Sequence, residues 1–500
     1  MSLILALDQG TTSTRAIAFD PDGWRVRAVA QIPLEQHFPH PGWVEHDADE
    51  IWRASLQVCR EAIAEAGGPA RFAALGVTNQ RETTVLWDRA TGRPLHRAIV
   101  WQDRRTAALT EGLEAQGHEP AVQVATGLVL DPYFSASKIA WLIDRTDSRA
   151  RAEAGELCAG TIDAWLIWNL TGGNRFVTDV TNASRTSLFG LSDLSWRDDL
   201  CALFDVPRGV LPEVLACDAR FGETTPKLFG RAIPITGSAG DQQAALVGHG
   251  VLTPGDVKVT YGTGAFLVAN TGDAPAASSS RLLSTVGYQA AGATAYALEG
   301  SIFSAGATVQ WLRDAMGAVA VSRESEAVAQ GLADNGGVYL VPGFTGLGAP
   351  FWEAEARGAI FGLTRDAGPA HIVRAGLEAM AYQTLDLLKA LKADGAPDPA
   401  VLKVDGGVTA NGWAMQFLAD ITGVPVERPA YQEMTALGAA KLAALGAGLI
   451  ETLDGASADA PAVWTPAMGE NERARLVAGW DAAVAGCLAH ARAGRGRSGR

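Results

Sequence analysis

Paired cysteines, long apolar runs and an excess of basic charge are all missing from this 500-residue chain, and each absence removes a class of function. The five cysteines, Cys59, Cys158, Cys201, Cys217 and Cys487, are odd in number and form no C-x-x-C pair. They fit a reduced, cytoplasmic compartment, and they read as small buried hydrophobes rather than ligands or nucleophiles. No basic n-region precedes Asp8, so no signal peptide is expected. The most apolar late segment, Leu437 to Ile450, is rich in Ala and Gly and interrupted by Lys441, which predicts a tightly packed helix rather than a membrane span. A net charge of -14 argues against a general nucleic-acid or anionic-membrane binder, so an anionic substrate would need local donors. Neither a P-loop nor a Rossmann glycine fingerprint at a strand-to-helix junction is present.

What remains is ample material for large cores. Hydrophobic residues make up 48% of the chain and charged ones 19%, without long low-complexity tracts, and the length calls for two or more domains. Short apolar strands alternate with amphipathic helices, an α/β pattern. Asp47 followed by Glu50 makes a capping-box pattern, with Ile51, Val58 and Ala62 at helical spacing and Gly67-Gly68 as the stop. A second helix is predicted from Pro369 toward Gly395, with Val373, Leu377, Met380, Thr384 and Leu388 along one stripe.

The loops carry the chemistry. Leu3-Ile4-Leu5-Ala6-Leu7 reads as a buried strand, Arg15-Ala16-Ile17-Ala18-Phe19 as its return, and Asp8-Gln9-Gly10-Thr11-Thr12-Ser13 as the hairpin between them. Such a turn can grip phosphate through backbone N–H groups and hydroxyls, with Asp8 near a hydrated Mg2+, or it can be an ordinary polar turn. Val257-Lys258-Val259-Thr260, Tyr261-Gly262-Thr263-Gly264 and Ala265-Phe266-Leu267-Val268 echo the same strand, turn and strand. The echo suggests two similar halves joined near residue 250, with a ligand between their loops. A third glycine turn, Asp405-Gly406-Gly407, leads to Asn411 and leaves room at a strand end for something flat, such as a nucleoside, although taken alone it is better read as a tight strand-to-helix turn.

Asn79-Gln80-Arg81-Glu82-Thr83-Thr84 interrupts two apolar runs. Neighbouring side chains on a regular strand point to opposite faces, so both Arg81 and Glu82 can meet one ligand only where the strand ends or bulges. Together they offer forked donors and acceptor oxygens that suit adjacent hydroxyls of a polyol; an exposed Arg/Glu pair is the alternative. Trp101 closes a strand before Gln102-Asp103-Arg104-Arg105, and Tyr133 sits on the turn Asp131-Pro132-Tyr133-Phe134. Asp241, between a glycine turn and a helix, is either a helix cap or the group that takes a proton from an attacking alcohol.

Three Gly/Thr turns in this order resemble the actin-like ATPase superfamily. Joined to Arg81-Glu82-Thr83-Thr84, Trp101-Gln102-Asp103-Arg104-Arg105, Asp131-Pro132-Tyr133-Phe134-Ser135 and Gly240-Asp241-Gln242-Gln243, they resemble the FGGY carbohydrate-kinase family, specifically its glycerol branch, over nearly the whole chain. The resemblance implies two actin-like (ribonuclease H-like) α/β domains with mixed central sheets and an interdomain cleft: residues 1–248, residues 249–490, and a flexible tail at 491–500. It implies ATP-dependent formation of sn-glycerol 3-phosphate in glycerol uptake and catabolism, with ATP and Mg2+, no nucleic acid, no membrane insertion, and a homo-oligomer (dimer or tetramer). Arg81, Glu82, Tyr133, Asp241 and Gln242 would bind glycerol between Trp101 and Phe266. Thr11, Thr12, Ser13, Arg15 and Thr263 would contact phosphates, and Gly306, Gln310, Gly407 and Asn411 the rest of the nucleotide. Asp8 and Asp241 would lie at the metal, with Asp241 as general base. Two rivals stay open: another polyol or sugar kinase of the family, and an actin-like ATPase without a small acceptor. Relatives inhibited by fructose 1,6-bisphosphate carry a Gly-Thr-Arg signature; here Gly230-Arg231-Ala232 displaces the arginine, so weak or absent inhibition is expected.

Overall fold

A computed structural model describes residues 2–455 and 460–498. Two large sheets organise the chain. The first has six strands in the order Gly222–Glu223, Pro234–Gly240, Phe72–Asn79, Leu3–Gln9, Ser13–Asp20, Arg25–Pro33. The second has seven, in the order Leu283–Ala290, Ala293–Ile302, Ala265–Gly272, Val257–Tyr261, Leu402–Asp405, Val426–Arg428, Ala462–Trp464. Both sheets mix parallel and antiparallel pairs, as expected for the α/β class.

The echo between the halves is structural. Leu3–Gln9 pairs antiparallel with Ser13–Asp20 and parallel with Phe72–Asn79. Val257–Tyr261 pairs antiparallel with Ala265–Gly272 and parallel with Leu402–Asp405. The central strand of the first half is buried on both faces, which is why Leu3 to Leu7 is apolar without alternation, whereas Val257–Tyr261 alternates and buries Lys258 between Val257 and Val259.

A smaller four-stranded sheet (Glu45–His46, Ala98–Ile99, Thr84–Asp88, Leu157–Thr161) stands beside the first and carries the segments that flank Glu82 and Trp101. The two helices read from the sequence are present. Ala48–Glu65 is capped by the Asp47 side chain, which accepts from Asp49 N and Glu50 N, and Pro369–Ala393 buries the Val373 to Leu388 stripe. Glu50 does not complete the box; its carboxylate instead receives the Glu35 N–H at 3.5 Å. All five cysteines are buried and free, and among the described residues no helix is long and apolar enough to cross a membrane.

Two features differ from the sequence reading. The Ala/Gly-rich helix, Met434–Gly446, belongs to the second half by sequence but packs against the first sheet and against the helix Asp241–Gly248. A Cβ at Gly438 would fall 1.7 Å from Ala244 O, and one at Gly248 2.0 Å from Met434 O, so the two helices meet backbone to backbone. A division at residue 248 therefore separates the sequence but not this packing. The last helix, Glu470–Ser498, also continues through residues expected in the tail. Ala491 to Ala493 are good helix formers, and extending a docked helix avoids the cost of nucleation.

Candidate active site

The Arg81-Glu82 segment is built on a backbone irregularity. After the strand Phe72–Asn79, Thr83 N bonds Arg81 O at 2.7 Å and Glu82 takes φ 59°, left-handed for a residue with a Cβ. The strand therefore ends here, as the Arg-Glu pair requires, and both side chains enter one buried cluster. Arg81 bonds both carboxylate oxygens of Glu299, with Nη2 at 3.1 Å from Oε1. It also donates to Tyr133 OH at 3.3 Å and Gln243 Oε1 at 3.4 Å, and its Nε lies 3.2 Å from Asp241 Oδ1. Arg185 completes the lattice through Glu82 Oε1 at 2.6 Å and Glu299 Oε1 at 3.0 Å.

Two buried arginines and two buried glutamates thus alternate, which is how such charges persist away from water. Burial opposes ionisation of Glu299, yet Arg185 and Arg81 hold its carboxyl down at about 2. For Glu82 burial is the larger influence and raises the carboxyl, with both arginines pulling the other way. Glu299 stands on a strand of the second sheet, so the lattice also ties the halves together.

Aromatic rings flank this lattice. Trp101 makes edge contacts with Tyr133 and Phe266, with centroids 5.7 and 6.1 Å apart, and Phe266 lies 5.9 Å from the Arg81 guanidinium. The Trp101 indole donates to Thr11 Oγ1 at 2.9 Å, so this aromatic wall touches the first glycine turn directly. That turn is closed by Gly10 N to Ser13 O at 2.9 Å; Thr12 is exposed, Thr11 half-buried, and Ser13 Oγ accepts from Gln31. Arg15 is ion-paired with Glu433 and bonded to Gln31, so its guanidinium is already engaged.

The second turn presents exposed Gly262 and Thr263, and their carbonyls receive the N–H groups of Ala305, Gly306 and Ala307 at 2.9–3.0 Å. The helix Gly306–Asp314 thus starts on the turn, with Gln310 exposed. The third turn packs on the second: Gly406 has φ 93°, and a Cβ there would fall 2.3 Å from Tyr261 O. Gly407 faces open space. Asn411 caps the helix Gly412–Thr422 by accepting from Ala414 N at 2.9 Å, and its amide lies 3.4 Å from Ser325 Oγ.

Asp241 opens the helix Asp241–Gly248, and its carboxylate receives the Gln242 N–H at 2.8 Å and the Gln242 amide at 3.3 Å. Burial pushes the Asp8 carboxyl up to about 6; Arg15 opposes this and the charge of Asp241 adds to it. Among the described residues no group of three or more His, Cys, Asp or Glu forms a metal cage. The two acids suit a Mg2+ that keeps water and phosphate oxygens as its other ligands, the usual arrangement for that ion.

Arg185 and Glu299 were not selected from the sequence. A lone glutamate within the apolar strand Ala293–Ile302 was the available signal, since a charge there must find a partner. Arg231, in the altered signature, is exposed and donates to the carbonyls of Ala232 and Ala70.

Glycine turns contributed by two halves meet a buried charge lattice and a helix-opening acid in a two-domain α/β fold of the carbohydrate-kinase type. The chain belongs to the FGGY family of carbohydrate kinases: the N-terminal domain of that family matches residues 3–248 and the C-terminal domain residues 257–447. It is 56% identical over 490 residues to the glycerol kinase of Rhodospirillum centenum, covering 96% of this chain and 97% of that one. It is 55% identical to glycerol kinase 1 of Pseudomonas aeruginosa, covering 96% and 98%. The crystal structure of Plasmodium falciparum glycerol kinase with ADP superposes with a TM-score of 0.91 at 37% identity over 98% of both chains. Gluconate kinase from Lactobacillus acidophilus, at 23% identity and a TM-score of 0.87, shares the fold.

Proposed function

We propose that the protein transfers the γ-phosphoryl group of ATP to glycerol, giving sn-glycerol 3-phosphate and ADP. The observation that carries this reading is the position of Arg81, which joins Asp241, Tyr133 and, through Glu299, Glu82 and Arg185 in one buried cluster beside Trp101 and Phe266. Full-length likeness to two glycerol kinases supports the same acceptor.

In this reading Arg81 and Tyr133 donate to glycerol hydroxyls, Glu82 accepts, and Gln242 orients the terminal hydroxyl. Trp101 and Phe266 cover the C–H faces and keep water from the reacting phosphorus. The hydroxyl oxygen bonds to the γ-phosphorus, the bond to the bridging oxygen of ADP breaks, and the hydroxyl proton passes to the Asp241 carboxylate. Thr11, Thr12, Ser13, Thr263 and the turn backbones hold phosphate oxygens, and Arg15 joins them on leaving Glu433. Gly306, Gln310, Gly407 and Asn411 line the remainder of the nucleotide. Asp8 and Asp241 would hold Mg2+, which neutralises phosphate charge when bound. A cytoplasmic location, homo-oligomeric assembly and a place in glycerol uptake and catabolism belong to the same reading.

Asp241→Asn tests it. The variant is expected to lose at least about a hundredfold in kcat, the scale of general-base catalysis, while calorimetric glycerol affinity stays within about threefold. Unchanged kcat removes Asp241 from the base role.

A further inference from the structure

The helix that opens with Asp241 belongs to the first half by sequence, yet the second half grips both of its ends. At the far end His249 lies 3.3 Å from Asp405, and Lys403 donates to the carbonyls of His249 and Gly250 at 3.0 and 3.1 Å. At the near end the grip is Lys258, a buried lysine on the strand Val257–Tyr261, three residues before the second glycine turn. Its ammonium donates to Gln242 Oε1 and to Thr260 Oγ1, the latter at 2.9 Å.

We infer that Lys258 is a positioning residue for phosphoryl transfer: through Gln242 it fixes the Asp241 carboxylate in register with the second phosphate turn. The inference rests on the reading of Asp241 as base. A carboxamide can present either its oxygen or its nitrogen to a neighbour, and an ammonium has donors only. Lys258 therefore claims Oε1 and leaves Nε2 to face Asp241 Oδ2 at 3.3 Å. With the Gln242 backbone N–H on Oδ1, both carboxylate oxygens are then held by donors, which fixes the orientation of the carboxylate.

Because Lys258 and the turn Tyr261–Gly264 share one strand, the base is referenced to the half that holds that phosphate turn, while Arg81 references it to the acceptor half. Burial is the main influence on Lys258 and lowers the ammonium to about 8; Asp405, Asp241 and Glu299 favour the charge and Arg81 opposes it. The cation is thus retained at neutral pH.

Lys258→Met, Gln242→Glu and Asp241→Asn, measured side by side for kcat, both KM values and melting temperature, test this. Lys258→Met is expected to lower kcat about tenfold or more with the glycerol KM within about threefold. Gln242→Glu keeps an acceptor for Lys258 and removes the amide donor to Asp241, so it is expected to lower kcat without lowering the melting temperature, a pattern that general loosening of the fold does not produce. It also covers the case in which Lys258→Met fails to fold. Wild-type kcat in Gln242→Glu, or kcat retained with both KM values raised in Lys258→Met, overturns the role of Lys258 while an inactive Asp241→Asn leaves the base reading standing. An active Asp241→Asn overturns both.

Discussion

The two hairpins share a scaffold and treat their acids in opposite ways. In the first half Asp8, paired in register with Thr78 and Arg15, is half-buried, and among the described residues no side-chain hydrogen bond engages its carboxylate. In the second half the acid has moved one strand over: Thr260 pairs with Asp405, which is surrounded by His249, Lys258 and Thr260. Burial alone would raise both carboxyls. Asp8 remains raised, to about 6, whereas His249, Lys258 and Thr260 bring Asp405 below the ordinary carboxylate range. One acid is left available for a cation and the other is neutralised as an internal tie. A repeated fold can thus place equivalent turns and still give their acids opposite surroundings by moving one charge.

Exchanging the acids for amides breaks the comparison from either side. The largest effect is expected for Asp8→Asn, a loss in kcat of about a hundredfold or more, as for removal of a group that stabilises developing charge, measured at saturating ATP and Mg2+. The same change should raise the melting temperature in EDTA at pH 7. An acid whose folded pKa lies above its unfolded value costs stability at neutral pH, and the cost shrinks as pH falls from about 6 toward 4, so the gain should shrink with it. Asp405→Asn should behave in the reverse manner. It removes the carboxylate that His249 faces at 3.3 Å and whose charge favours the buried Lys258 ammonium, and is expected to cost about 3 kcal/mol or more in denaturant unfolding. The stability Asp405 supplies is present above the ordinary carboxylate pKa and is lost as pH falls through its lowered folded value. Equal stability losses in the two variants would erase the distinction. The smallest effect is expected from fructose 1,6-bisphosphate, because Arg231 lies outside both hairpins and is occupied with backbone carbonyls; strong inhibition in a steady-state assay would contradict this.

The two hairpins were visible in the sequence because they are local. Both strand-turn-strand units are contiguous, so glycine with hydroxyl residues between apolar runs marks the turn while leaving its ligand open. Arg81 and Glu82 stood out for the same reason, and their meeting required the strand end that Glu82 now provides. What was not legible is non-local. Arg185 meets Glu82 across 103 residues, and Arg81 meets Glu299 across 218, so neither partner carries a local pattern. The helix Met434–Gly446 was legible as a packed helix, but its docking on the first half depends on matching small residues at Ala244 and Gly248. Asn411 read as a nucleotide contact, and the structure makes it a helix cap, a role its place before Gly412 permits.

The central claim is that this two-half scaffold serves glycerol. The direct measurement is ADP release in a coupled assay with ATP and Mg2+, comparing glycerol, xylulose, gluconate and no acceptor. Glycerol is predicted to give the dominant turnover, with little ADP released in its absence. Turnover that is independent of glycerol, or equal with xylulose or gluconate, would contradict the account.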